Sequence, residues 1–418
     1  MKLSKREFLK LSGLSAAALV TGTAIADDDA ELSNITGDVS PITNAEREAR
    51  LRKAQKLMAK YDIDAVLLES GTAMLYFTGM RWGRSKRMTG VLIPREGEIG
   101  VVTPYFEEPK ARERLPMEAE FRTWHEDESP FERVAELLAD RGLKNGRLGI
   151  EETVRFFIVD GVRQALPAFD TVPAKPVTQG CRMFKDAHEL ELMKKANEVT
   201  LAAYQHVYER LEVGMTPTDV TGMMRDAQAR LGGAGIWGMA LFGQASAYPH
   251  GTNAPQEIRE GQIVLMDCGC SVHDYRSDIS RTFVFGEANR RQREVWNTVR
   301  RGQDIVMQTA KVGLEAGKVD DAVRGYYESL GYGPRYQTPG LSHRTGHGIG
   351  MDVHESVYLV HGETTKLAPG MCFSNEPGLY NFDEFGVRIE DCFYMTKEGP
   401  TFFTLPPDSI DEPVGRLA

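Results

Sequence analysis

The sequence predicts an α+β protein, with an N-terminal α/β domain at 42–180 and a larger domain at 181–418. Three observations carry this. Helical and strand patterns alternate up to about residue 178, as in a layered α/β unit. Long capped helices and an apolar strand hairpin take over from Arg182 onward. From Thr345 the chain turns glycine-rich and strand-rich. A length of 418 residues leaves room for more than one core, and 41% apolar with 26% charged residues is a globular balance.

The elements follow in order. Lys2, Lys5, Arg6 and Lys10 precede a short run of apolar and small residues ending at Ala24-Ile25-Ala26. That pattern at 1–26 reads as a secretory signal peptide. Ser4-Lys5-Arg6-Glu7-Phe8-Leu9-Lys10 resembles the twin-arginine export motif with Lys5 in place of the first arginine, so export to the periplasm is expected. Residues 27–41 are acidic and polar and are expected to form a disordered tether. Asn44 to Tyr61 has helical spacing, with Leu51, Ala54, Leu57 and Met58 on one face. Short apolar runs at 64–70, 90–94, 99–103 and 148–150 read as strands, and 131–141 as a helix.

The second domain opens at Arg182-Met-Phe-Lys185, and Asp186 can cap a long helix running to about Leu211. Gly214 to Asp219 supplies a turn and the cap of another helix, ending at Gly232-Gly233. Runs at 261–270 and 278–285 form a strand hairpin, and helices are expected at 288–313 and 317–330.

Net charge is −10 and no basic stretch is long enough to follow phosphates, which excludes nucleic acid as a partner class. Beyond the first 26 residues no segment is apolar for long enough to span a membrane. Five cysteines are too few for a disulfide scaffold and too many by one to pair fully. Cys268, Cys270, Cys372 and Cys392 are read as buried reduced thiols rather than metal ligands.

Four of the nine histidines fall between His343 and His361. Asp267 ends an apolar strand and Asp278 begins the next, so a hairpin brings two carboxylates together. His347 lies between glycines, Glu376 follows a turn signal, and Glu390 follows an alternating strand. Four carboxylates among apolar strands are prohibitive without cations, so two divalent ions are expected. An oxygen-rich set with one imidazole suits manganese, with cobalt or zinc as alternatives. Two such ions can share a hydroxide that attacks a carbonyl at neutral pH, and Glu376 is the natural general base for it.

The joint order of these segments resembles the metal-dependent pita-bread peptidases of family M24, in the aminopeptidase P and prolidase (Xaa-Pro dipeptidase) branch. The matching segments are Pro249-His250-Gly251, Val264-Leu-Met-Asp267-Cys-Gly269, Ser277-Asp278-Ile-Ser-Arg-Thr-Phe283, His343-Arg-Thr-Gly-His347-Gly-Ile-Gly-Met-Asp-Val-His354-Glu355, Asn375-Glu376-Pro-Gly-Leu-Tyr380 and Gly386-Val-Arg-Ile-Glu390-Asp391. The resemblance implies an N-terminal α/β creatinase-like domain followed by a pita-bread catalytic domain. It implies that Asp278 and Glu390 bridge two metal ions, that Asp267 serves one, and that His347 and Glu376 serve the other. His250 and His354 resemble the pair that holds substrate and stabilises the tetrahedral intermediate. His343 corresponds to a substrate-pocket histidine. Arg388 is placed with it as substrate-binding, and from its strand it could also orient carboxylates.

The implied substrates are small Xaa-Pro peptides with a free N-terminus, dipeptides first and longer peptides as the alternative. Some prolidases carry an arginine shortly after the histidine equivalent to His354; Glu355-Ser-Val-Tyr358 has none. A carbon–sulfur lyase of the same fold, acting on dimethylsulfoniopropionate, is disfavoured because Gly269 and Cys270 stand where it has further acids. The basic turn Trp82 to Arg87 matches loops that reach a partner's site in relatives, so a homodimer is expected.

Overall fold

The computed structural model describes residues 32–418. The expected signal peptide and the first part of the expected tether lie outside the described residues. Helix α1 (Asn44–Tyr61) has the bounds its periodicity predicts, and Thr43 with Glu46 closes a capping box at its start. It packs through Ala54 and Met58 against a six-stranded sheet. The strands are β1 (Ala65–Glu69), β2 (Gly90–Pro94), β3 (Gly100–Pro104), β4 (Glu120–Trp124), β5 (Gly146–Ile150) and β6 (Phe169–Pro173). Their order is β4-β3-β2-β1-β5-β6. Strand β2 runs antiparallel to both neighbours, whereas β1, β5 and β6 are parallel. Helix α2 (Thr72–Thr78) follows β1, and α3 (Glu108–Arg114), α4 (Pro130–Asp140) and α5 (Phe156–Ala165) complete the layers.

Helix α6 (Lys175–Arg182) leads into the second unit. Asp186 caps α7 (Ala187–Tyr208) and Thr216 caps α8 (Pro217–Arg230), each through a capping box, as the sequence predicts. These helices support β7 (Ala234–Phe242), β8 (Gln262–Val272) and β10 (Ile279–Phe285), ordered β10-β8-β7, with the short β9 (Tyr275–Arg276) on β8. Helices α9 (Arg290–Thr309) and α10 (Gly317–Ser329) contribute to the core beneath a five-stranded sheet. Its strands are β11 (Gly346–Gly348), β12 (Glu355–Leu359), β13 (Cys372–Asn375), β16 (Asp391–Met395) and β17 (Pro400–Phe402). The strand pair β14 (Gly378–Tyr380) and β15 (Gly386–Arg388) lies between β13 and β16 in sequence. A bridge between Ser280 and Glu390 joins the two sheets at the place where the acids collect.

Two expectations change. The end of the expected tether is held: Ile35 N–H donates to Leu231 O at 3.1 Å, Lys195 pairs with Asp38 at 2.8 Å, and Val39 packs on the core. Partners on α7 and at the end of α8 satisfy a segment that composition alone marks as unpaired. Asp267 does not end its strand, because β8 continues to Val272 and places Asp267 opposite Ser280 and Met239. All five cysteines are buried free thiols. Across the two units, Arg50 of α1 reaches Glu189 at 3.1 Å and Tyr275 at 2.7 Å, and the Tyr275 hydroxyl donates to Glu189 at 2.6 Å.

Candidate active site

Strand β10 begins beside Asp278, β11 carries His347, and the chain between β15 and β16 carries Glu390. Single oxygen or nitrogen atoms of these three buried side chains lie within 4.8 Å of one another. His347 Nε2 stands 3.4 Å from Asp278 Oδ2 and 3.3 Å from Glu376 Oε1. Its Nδ1 is 3.0 Å from Gly348 O, and a carbonyl only accepts, so the proton sits on Nδ1. With the ring neutral, as a metal ligand must be, the Nε2 lone pair faces carboxylate oxygens. Acceptor facing acceptor is repulsive unless a cation lies between them.

Asp278 Oδ1, Glu390 Oε1 and Asp267 Oδ1 are buried without a hydrogen-bond partner. Burial first, then the charge of Asp267, pushes the Asp278 carboxyl well up. Burial and then Asp278 do the same to Glu390. Glu376 goes the other way: against the effect of burial, His347, His343, Arg388 and His354 hold it below the usual range. Orphaned oxygens, mutual repulsion and an aimed imidazole lone pair all fit divalent metal. Asp267, Asp278, His347, Glu376 and Glu390 are the residues that would hold it.

Close backbone approach explains the glycines around His347. A Cβ on Gly346 would come 2.2 Å from Ser374 O, and one on Gly348 would come 2.7 Å from Glu355 O. Gly346→Ala should therefore cost about 1–3 kcal/mol of stability, read from urea unfolding. An unchanged midpoint would show that β11 and β13 have room to separate.

The histidines take different stations. His343 donates or accepts at both ring nitrogens, Nδ1 to Arg344 O at 2.8 Å and Nε2 to the Tyr380 hydroxyl at 2.7 Å. Burial brings its pKa down to about 4. His354 packs against His347 with ring centroids 4.3 Å apart and planes tilted by 51°, and burial, followed by the neighbouring His347, lowers its pKa to about 4. Both rings are neutral near pH 7. His250 is exposed in the wall of a groove that also carries Met239, whose strand partner is Asp267.

Arg388 is buried, and Nε donates to Ser280 Oγ, Nη1 to Pro249 O and Tyr380 Oη, and Nη2 to Asp267 Oδ2. Four of its five N–H donors are thus engaged inside the protein, one of them by the Asp267 carboxylate. Sequence reasoning passed over Ser280, Ser374 and Tyr380. Ser280 Oγ donates to Glu390 at 2.6 Å, and Ser374 Oγ accepts from His347 N–H and donates to Glu376. Tyr380 links His343 to Arg388. Ser280 and Tyr380 lay inside matching segments and Ser374 directly before one, where proximity to a ligand was the available signal.

Residues 191–397 match metallopeptidase family M24, and residues 50–184 match the creatinase/prolidase N-terminal domain. An uncharacterized peptidase of Schizosaccharomyces pombe is 31% identical over 84% of this chain and 79% of its own length. The chain belongs to metallopeptidase family M24. This M24 member lies in the aminopeptidase P and prolidase branch and is a metallo-exopeptidase. The Xaa-Pro dipeptidase of Pyrococcus furiosus is 29% identical to it over 84% of this chain and 96% of that one. Recombinant prolidase from Thermococcus sibiricus superposes with a TM-score of 0.78, at 27% identity, over 85% of this chain and 96% of that chain. M24 peptidases of this type depend on a dinuclear metal centre, which agrees with the donor set described above.

Proposed function

We propose that this M24 peptidase hydrolyses Xaa-Pro bonds at a free N-terminus, with dipeptides such as Ala-Pro as its first substrates. The observation that carries the proposal is the His347 Nε2 lone pair aimed at Asp278 and Glu376 beside orphaned carboxylate oxygens. Asp267, Asp278, His347, Glu376 and Glu390 would hold two divalent ions, manganese first and cobalt or zinc as alternatives. Bound there, the ions supply Lewis acidity and an acidified water. Glu376, ionised and open to the cleft, accepts the proton of the attacking water and returns it to the proline nitrogen as the C–N bond breaks. His354, neutral and free of protein partners at its ring nitrogens among the described contacts, donates toward the developing oxyanion. His250 holds the substrate from the opposite wall, and His343 presents its ring as pocket lining.

One observation favours a second reading, longer peptides. A groove of about 710 Å³ runs past His250 between β7, the start of α8 and residues 250–257. Among the described strands β7 pairs with β8 alone, and Gln256 on the groove side accepts from Phe242 N–H at 2.8 Å. An exopeptidase substrate has a single residue before the cleaved bond, so a groove leading away suits residues after proline.

The proposal includes a homodimer. Tyr105 and Phe106, in a helical turn after β3, and Phe156 and Phe157, in the first turn of α5, are exposed beyond the same strand ends of the six-stranded sheet as the turn Trp82 to Arg87. Export to the periplasm rests on the basic, then apolar, then small-residue pattern of residues 2–26. Among the described residues no helix is long and apolar enough to cross a membrane.

The deciding assay incubates Mn²⁺-loaded protein with Ala-Pro, Ala-Pro-Gly-Gly and dimethylsulfoniopropionate. Proline release from Ala-Pro alone supports a dipeptidase, and cleavage of both peptides supports the groove. Turnover of neither peptide defeats the proposal.

A further inference from the structure

Among the described contacts no polar partner holds the His354 ring, so its place beside His347 is set by residues 351–355. Both flanks of that segment converge on one guanidinium. Arg182, the last residue of α6, donates through Nη2 to Asp352 Oδ2 at 2.7 Å and to Glu355 Oε1 at 2.5 Å. Glu355 Oε2 accepts from Lys185 Nζ at 2.8 Å, and Oε1 also accepts the backbone N–H groups of Met351 and Asp352. The other Asp352 oxygen accepts from Thr72 Oγ1 at 2.6 Å, at the first turn of α2. Gly350 leaves the space this cluster needs, since a Cβ there would meet Lys185 Cε at 2.7 Å and both Glu355 oxygens within 2.9 Å.

We infer that Arg182 and Lys185 are positioning residues for His354, and that α2 and α6 thereby fix the reach of that histidine over the substrate. The physical ground is the difference between a held and an unheld buried carboxylate. Glu355 is buried and its charge is matched by two cations and two backbone donors. Removing a cation leaves an uncompensated charge beside His354, and the 351–355 backbone must shift to rehydrate it. Each cation enters from outside the catalytic sheets, so neither can touch substrate itself.

The inference rests on the proposed role of His354, and a double-mutant cycle separates the two. Arg182→Met should lower kcat/KM for Ala-Pro by about 10–100-fold, mostly in kcat, with bound metal per protein unchanged by atomic absorption. Glu355→Gln, of the same shape, should do likewise if Arg182→Met folds poorly, and Arg182→Lys should recover part of the loss. In a His354→Ala background, Arg182→Met should change kcat/KM by less than about twofold. If both single variants are impaired and their losses multiply in the double variant, the inference falls while the role of His354 stands. If His354→Ala alone hydrolyses Ala-Pro like wild type, the role of His354 falls and the inference falls with it.

Discussion

Glu376→Gln is expected to lower kcat for Ala-Pro about 10²–10⁴-fold while KM stays close to the wild-type value. Four carboxylates share this site, and their surroundings divide them. Burial and neighbouring acids push Asp278 and Glu390 up, and burial does the same to Asp267. Glu376 alone is held down, because His347, His343, Arg388 and His354 surround it and outweigh its burial. Groups driven apart in this way take different roles, and the ionised one accepts the proton. Its Oε1 accepts from the Ser374 hydroxyl at 3.2 Å, and its Oε2 stands 3.8 Å from His343 Nδ1. The amide keeps this shape and removes the proton acceptor. Steady-state kinetics with the metal content measured in parallel tests it. A Glu376→Gln enzyme within tenfold of wild type would reassign the base.

Stripping divalent ions with a chelator is expected to abolish hydrolysis and lower the melting temperature by several degrees, with Mn²⁺ restoring both. A ligand at a thousandfold excess over its Kd stabilises the state that binds it by about 4 kcal/mol. Without cations, three buried carboxylate oxygens have no partner and the His347 lone pair faces acceptors. The single arginine among them, Arg388, reaches Asp267 through Nη2 and stands 3.8 Å from Glu390 through Nε, one positive charge against four carboxylates. Differential scanning calorimetry of stripped and reloaded protein reads the shift. Full activity after exhaustive chelation would remove metal from the reaction.

Much of the scaffold was legible because its signals are local. The bounds of α1 and the caps at Asp186 and Thr216 depend on side chains within one turn. The hairpin of β8 and β10 depends on apolar runs that pair in register. Strand β7 was missed because Gly235 and Gly238 interrupt it and its outer edge has no neighbour to impose alternation. The hold on residues 35–40 was invisible because its partners, Leu231, Lys195 and His188, lie about 150 to 200 positions away.

The site divides along the same line. Asp267, Asp278, His347, Glu376 and Glu390 were singled out in the sequence by segments that resemble the M24 pattern, with acids in or beside apolar strands as the local signal. Sequence also placed glycines where β11 approaches β13. What only the tertiary structure decided is which groups are already occupied. Arg388 is engaged by Ser280, Tyr380 and Asp267, and Arg182 is engaged by Asp352 and Glu355. The physical reason is that residue type sets what a side chain can donate or accept. Whether that capacity is free for substrate or taken by a distant part of the chain is decided when the two units pack together.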